Sequence, residues 1–245
     1  MLMVVGLASS AISSPFAGTL GPAVVLPAKH WVSSLSLGPV WAEAGKTQTF
    51  FLTPDIEKTY VASKSTQALA AGEFFLGLQA PFSSAWQVQV GLATATTANA
   101  RLQGIIWDDA DPEFANYTYR YKVRHSRIAV KGKWLLDNGY WVLPWVSGSI
   151  GVGFNRAQDF TNTPLIFEAL PNNNFTNNTQ TTFTYTLGAG VQKAINYHWQ
   201  AGLGYEFADW GKSHLGRATE QTRHSGLVLN HLYTHGVLFN LTYLA

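Results

Sequence analysis

The residue types best suited to chemistry gather near the end of the chain, where His214, His224, His231 and His235 fall within about twenty residues of one another. Two imidazoles four apart on one strand face could ligate a metal, or one could act as a general base. Both roles compete with ordinary loop or interfacial histidines, and His231 and His235 share the parity of large apolar neighbours such as Val237 and Phe239. A second group, Asp108, Asp109, Asp111 and Glu113, could hold Ca²⁺ through carboxylate oxygens or simply form a solvated loop tip. A third group, Glu73, Arg120, Lys122, Arg124 and Glu206, consists of charges set within otherwise apolar and small-residue runs. Charges placed there need partners.

The elements that must position these residues are strands. Val146, Ile150, Val152 and Phe154 share one parity, against Ser147, Ser149, Gly151, Gly153 and Asn155 on the other. Phe183, Tyr185, Leu187, Ala189 and Val191 alternate with Thr182, Thr184, Thr186, Gly188, Gly190 and Gln192, and Trp199 to Phe207 and Val237 to Tyr243 repeat the pattern. Eight such strands are expected at about 30–43, 68–79, 85–100, 116–134, 140–155, 179–193, 198–210 and 228–243. Short links follow the second, fourth and sixth, one of them an Asp137-Asn138-Gly139 turn suited to positive φ. Long links, 44–67, 101–115, 156–178 and 211–227, follow the others. Ten strands are the alternative, because residues 47–52 and 59–62 could form a hairpin or extend strands upward.

Period-two alternation fits a soluble sandwich or lipocalin as well as a membrane barrel. Composition leans toward the membrane. Charged residues are 12% of the chain and aromatics 13%, and the polar parity is rich in Gly, Ser, Thr and Gln where the outer face of a soluble sheet carries Lys and Glu. Trp31, Trp41, Trp86, Trp134, Trp141, Trp199 and Trp210 fall near strand ends, as interfacial girdles require. Short and long links in alternation are the topology of an all-β, antiparallel up-and-down transmembrane barrel of eight strands, with four long loops outside and short periplasmic turns.

A net charge of +2 and the lack of any basic run argue against a nucleic-acid partner. With no cysteine, neither a disulfide nor a thiolate metal site can form. No cofactor is expected. Residues 1–17 read as a secretory signal peptide lacking a positive charge before its apolar run, 18–29 as a periplasmic segment, and 30–245 as the barrel. An eight-stranded interior is just wide enough to be filled by side chains, so a wide aqueous channel is not expected.

The runs Pro144-Trp145-Val146-Ser147-Gly148-Ser149-Ile150-Gly151-Val152-Gly153-Phe154, Leu187-Gly188-Ala189-Gly190-Val191 and Leu203-Gly204-Tyr205-Glu206-Phe207 with Trp210-Gly211 resemble the Gly-punctuated strands of small outer-membrane barrels. On these residues the chain is similar to the family of opacity proteins and outer membrane protein A-like barrels. The resemblance implies a cell outer membrane location in a Gram-negative bacterium. It also implies contact with outer-membrane lipids and lipopolysaccharide, insertion by the barrel assembly machinery, and an interior polar plug formed by Glu73, Arg120, Lys122, Arg124 and Glu206. A terminal aromatic is usual in that family, whereas Leu244 and Ala245 follow Tyr243 here.

A structural or interaction role follows from this reading, with envelope integrity and adhesion to host or surface ligands through the loops as its content. The alternatives are a lipid A-modifying enzyme and a transporter of small hydrophobic molecules. The deacylases among such barrels use a His and a Ser two residues apart with a partner acid, a spacing that neither His125-Ser126 nor His224-Ser225 matches. A non-enzymatic protein is therefore expected.

Overall fold

Alternation with a period of two puts one set of side chains on each face of a strand, and the computed structural model shows which face meets what. It describes residues 29–169 and 172–245, so the signal-peptide reading lies outside the described residues. Strands follow in chain order: β1 His30–Ala44, β2 Gln48–Thr53, β3 Ile56–Ala62, β4 Ser65–Pro81, β5 Trp86–Thr97, β6 Ala100–Asp108, β7 Ala115–Leu136, β8 Leu143–Pro164, β9 Asn178–Ala194, β10 Trp199–Asp209, β11 Ser213–His214, β12 Val228–Leu229 and β13 Tyr233–Leu244.

Eight of these close into a ring in the order β1, β4, β5, β7, β8, β9, β10, β13, every pairing antiparallel. The seam joins β1 to β13 from Val32 opposite Leu244 to Glu43 opposite Tyr233. A closed ring leaves no unpaired edge, which is what backbone in hydrocarbon requires. The three tight turns at one end include Gly139, whose φ of +73° suits the turn expected there.

The apolar parity points outward. Leu92, Ile150, Leu187 and Phe239 are each about 60% exposed, whereas Thr184, Thr186 and Thr242 on the opposite parity are buried inside. A soluble barrel would have these faces exchanged. Trp31, Trp86, Trp134, Trp141 and Trp199 ring the turn end with their side chains exposed. Near the other end Trp41 stacks on His235, which also meets Tyr205 at a tilt, and Phe207 stacks on Tyr233. Trp210 departs from the girdle expectation: it is turned into the barrel and 1% exposed.

β7 corrects a second expectation. Arg120, Lys122 and Arg124 lie on its outer parity, and the inner parity carries Tyr117, Tyr119, Tyr121, Val123, His125, Arg127, Lys131 and Lys133. The reason is that β7, at 22 residues, crosses two surroundings. Its lower half meets lipid, so Ile128, Val130 and Trp134 face out; its upper half stands above the lipid, so the apolar residues face in. The parity of the large apolar side chains switches partway along one continuous strand.

The upper half is covered by structure expected to be loop. β6 turns back immediately after β5 and pairs with β7 from Ala100 opposite Val123 to Trp107 opposite Ala115. β3 then pairs with β6, and β2 with β3. Eight strands therefore span, and β2, β3 and β6 form a sheet flap above them. Against this flap fold the links after β8 and β10. Thr222 and Arg223 donate backbone N–H to the Leu52 carbonyl at 3.0 and 3.2 Å, and Val228 donates to Gln48 Oε1 at 3.0 Å.

The result is a cap with its own apolar core. Phe175 packs edge-on to Phe160 with ring centres 4.8 Å apart and lies 5.4 Å from Tyr60, which stacks on Phe50 at 5.3 Å. Leu215, Leu227 and Leu232 fill in beneath. Truncating Phe175 to alanine is expected to cost about 3–5 kcal/mol of cap stability. Limited trypsin treatment should then cut at Arg217 and Arg223 at least ten-fold faster, while the barrel's gel mobility shift on boiling is unchanged. Loss of that shift would mean that cap and barrel unfold as one unit.

Candidate functional site

Among the described residues, only β4, β7 and β10 bring charges into the lumen together. Glu73 on β4 and Glu206 on β10 lie on opposite walls, and two cations from β7 bridge them. Arg127 Nη2 donates to Glu73 Oε2 at 2.7 Å and to Glu206 Oε1 at 3.0 Å. Lys131 Nζ donates to Glu206 Oε2 at 2.9 Å and also to Glu73 Oε1. The four groups alternate in sign around a closed circuit, and Arg127 and Glu73 are 4% exposed. Two carboxylates and two cations balance, the condition under which burying them is tolerable.

Glu73 and Glu206 are thus brought together, while Arg120, Lys122 and Arg124 are not part of the circuit. Arg120 Nε donates to Thr161 Oγ1 at 3.1 Å and Lys122 pairs with Asp159 at 2.9 Å, both on the outer face. Arg127 and Lys131 take the cationic places. Their signal in the sequence was parity within the lipid-facing segment alone, where both alternate with Ile128, Val130 and Trp134.

Below the circuit the lumen is filled by amides. Gln89 donates to Gln79, Gln79 to Gln87 and Gln87 to Asp137 at 2.7, 2.7 and 2.9 Å. Lys133 donates to Gln192, which donates to Gln200, and the Lys133 ammonium stands 4.5 Å above the Trp145 ring. That indole lies across Gly190 and Gly204, where an added Cβ would sit 2.6 and 2.3 Å from its Cζ2. Glycine at these places is what lets a tryptophan lie flat in so narrow a barrel.

Above the circuit Trp210 stacks on the His125 imidazole with centres 4.9 Å apart. Asn155 donates to the carbonyls of Trp210 and Lys212 at 2.7 and 2.9 Å, so its Oδ1 is left as acceptor and His125 Nδ1 donates to it at 2.6 Å. The pair forms a lid. Two cavities in the lumen, one beside Lys131 and Trp145 and one beside His125 and Trp210, are about 30 Å³ each. That is room for a water or two.

The other sequence candidates are dispersed. His214 Nε2 bonds Gln180 at 2.9 Å, His224 sits edge-on to Phe50, and His235 stacks on Trp41. His231 Nδ1 pairs with Asp209 Oδ2 at 2.9 Å, but no serine or threonine hydroxyl bonds this imidazole among the described residues. Asp108 pairs with Lys58 at 2.8 Å, and Asp111 accepts the Glu113 N–H as a helix cap. No cluster of three or more metal-ligating side chains occurs among the described residues. In the cap, burial pushes the phenols of Tyr60, Tyr119 and Tyr121 well above their ordinary range, so they stay neutral.

No family model and no curated protein matches the chain. Among solved structures it is similar to Neisserial surface protein A, at 9% identity over 87% of this chain and 96% of that one, with a TM-score of 0.46. It is also similar to the outer membrane protease OmpT of Escherichia coli, at 8% over 91% and 99% with a TM-score of 0.47. OprG of Pseudomonas aeruginosa stands at 10% over 89% and 97%, with a TM-score of 0.42. A surface protein and a protease at equal distance say nothing about chemistry. The functional argument rests on this chain's own residues.

Proposed function

We propose that this chain, a small outer-membrane β-barrel of eight strands, is a non-enzymatic surface protein: a lipid-anchored frame that displays a rigid cap and contributes to envelope integrity. The supporting observation is that residues of the first and third outer links share one aromatic core, through Phe50, Tyr60, Phe160 and Phe175, with Leu215 and Leu227 of the last link in the same apolar cluster. A surface ordered before contact loses little conformational freedom on binding, which suits recognition of a host or neighbouring-cell ligand. The filled lumen argues against a solute path, and the scattered histidines argue against a hydrolytic triad.

The test uses cells displaying the full chain and cells displaying a variant in which residues 216–226 are replaced by a short Gly-Ser link. Adhesion to immobilised extracellular-matrix proteins should fall at least ten-fold in the variant, with detergent resistance of the envelope maintained. A change in lipid A mass on expression, or steady conductance of the purified protein in planar bilayers, would replace this reading with an enzyme or a pore.

A further inference from the structure

Outward-facing positions just above the lipid band carry an arrangement of like charges in which, among the described residues, an ion pair neutralises Lys122 alone. Arg101 on β6 is directly opposite Lys122 on β7, and two residues along β7, Arg124 is directly opposite Arg156 on β8. Arg120 stands on the same face between Gln103 and Thr161. Directly opposed side chains in an antiparallel pair have Cβ atoms about 4.5–5.5 Å apart, and like charges placed so repel. Two such pairs are adjacent here, and on these rungs Asp159, bound to Lys122, is the single carboxylate among the described residues.

Height decides what faces this cluster. Trp134, in the lower girdle, and Arg124 are ten residues apart on β7. At about 3.3 Å per residue and a tilt near 40°, the vertical distance is about 25 Å, the height of the apolar band of an outer-membrane barrel. Arg124 and Arg156 therefore lie level with the outer-leaflet headgroups, with Arg101 and Lys122 about 5 Å higher and Arg120 about 10 Å higher. A crevice of about 450 Å³ opens on this face between Arg101, Arg120, Lys122, Asp159 and Thr161.

The cluster is confined to one sector. At the same height across the ring, β1, β10 and β13 present Trp41, Phe207, Tyr233 and His235, which suit uncharged interface.

We infer that the outward face of β6, β7 and β8 is a binding site for the phosphate groups of an outer-leaflet glycolipid, with Arg124 and Arg156 sharing one phosphate and Arg101, Arg120 and Lys122 engaging a second. Arginine forks match phosphate oxygens in pairs, and a phosphate between two opposed arginines turns their repulsion into attraction. The inference rests on the barrel's membrane placement and is independent of the display role proposed above.

The full chain, purified in detergent micelles, would be titrated with bisphosphorylated lipid A and with the same lipid A stripped of phosphate, and followed by native mass spectrometry. At least ten-fold tighter binding of the phosphorylated form is expected, with most of that preference lost in Arg124→Ser/Arg156→Ser and retained in Arg124→Lys/Arg156→Lys. Stability supplies a second readout. Without lipid A the serine pair should unfold at the same or higher urea concentration than the native chain, and with bisphosphorylated lipid A at a lower one. Equal affinity for both lipids, unchanged preference in the serine pair, or full displacement by millimolar inorganic phosphate would overturn the assignment.

Discussion

Replacing Arg127 with methionine is expected to lower the stability of the barrel by about 3–5 kcal/mol, the cost of leaving a buried charge unpaired. Arg127 bonds both Glu73 and Glu206, so its loss leaves two carboxylates to share Lys131. Adding Glu73→Gln to the same chain restores the balance, with one carboxylate and one ammonium, and should recover more than half of the loss. Urea titrations in lipid vesicles, read by the gel mobility of folded and unfolded forms, measure both. A loss under about 1 kcal/mol for Arg127→Met, or no recovery in the double variant, would mean that water rather than protein neutralises the lumen.

The Trp145 platform makes the second large prediction. A methyl group at position 204 would sit 2.3 and 2.4 Å from Cζ2 and Cη2 of the indole, with the next contact, the Ala189 carbonyl, at 3.3 Å. Gly204→Ala should therefore cost about 1–3 kcal/mol, the usual scale of overpacking, and Gly204→Val should prevent the boiling-dependent shift from appearing at all. Trp145→Ala in the same chain removes the colliding ring and should rescue Gly204→Ala. At position 190 the added carbon meets the Leu203 carbonyl oxygen at 2.2 Å, which is backbone, so Trp145→Ala should not rescue Gly190→Ala. If both glycines respond alike to the tryptophan change, the indole does not lie where the packing argument needs it.

The strands that cross only lipid were legible from alternation, and β9 and β10 are the clear cases because their glycines, Gly188, Gly190, Gly202 and Gly204, all face the lumen. β7 was misread in its charges for a physical reason. Tyr117 to Val123 face a protein cap while Ile128 to Trp134 face lipid, so a single rule of apolar-outward assigns the two halves opposite polarity. Glu73 and Glu206 were legible as interior charges because both strands keep one surrounding throughout. β6 was hidden in a nine-residue segment joined to β5 by only Ala98 and Asn99. The cap core was not legible, since Phe50, Tyr60, Phe160 and Phe175 are distant in sequence and show no common period.

The switch of apolar parity along β7 also acts as a depth stop. Sinking the barrel toward the cell interior would carry Arg124 and Arg156 into hydrocarbon, at a cost per arginine that rises from near zero at the interface toward about 2–4 kcal/mol at the midplane. Rising outward would lift the apolar belt at Ile128 and Ile150 toward water. The molecule is thus held at one elevation, and a bilayer much thinner or thicker than about 25 Å would have to adjust to the protein. The cap therefore stands at a fixed height above the membrane, set by where a single strand changes its neighbours.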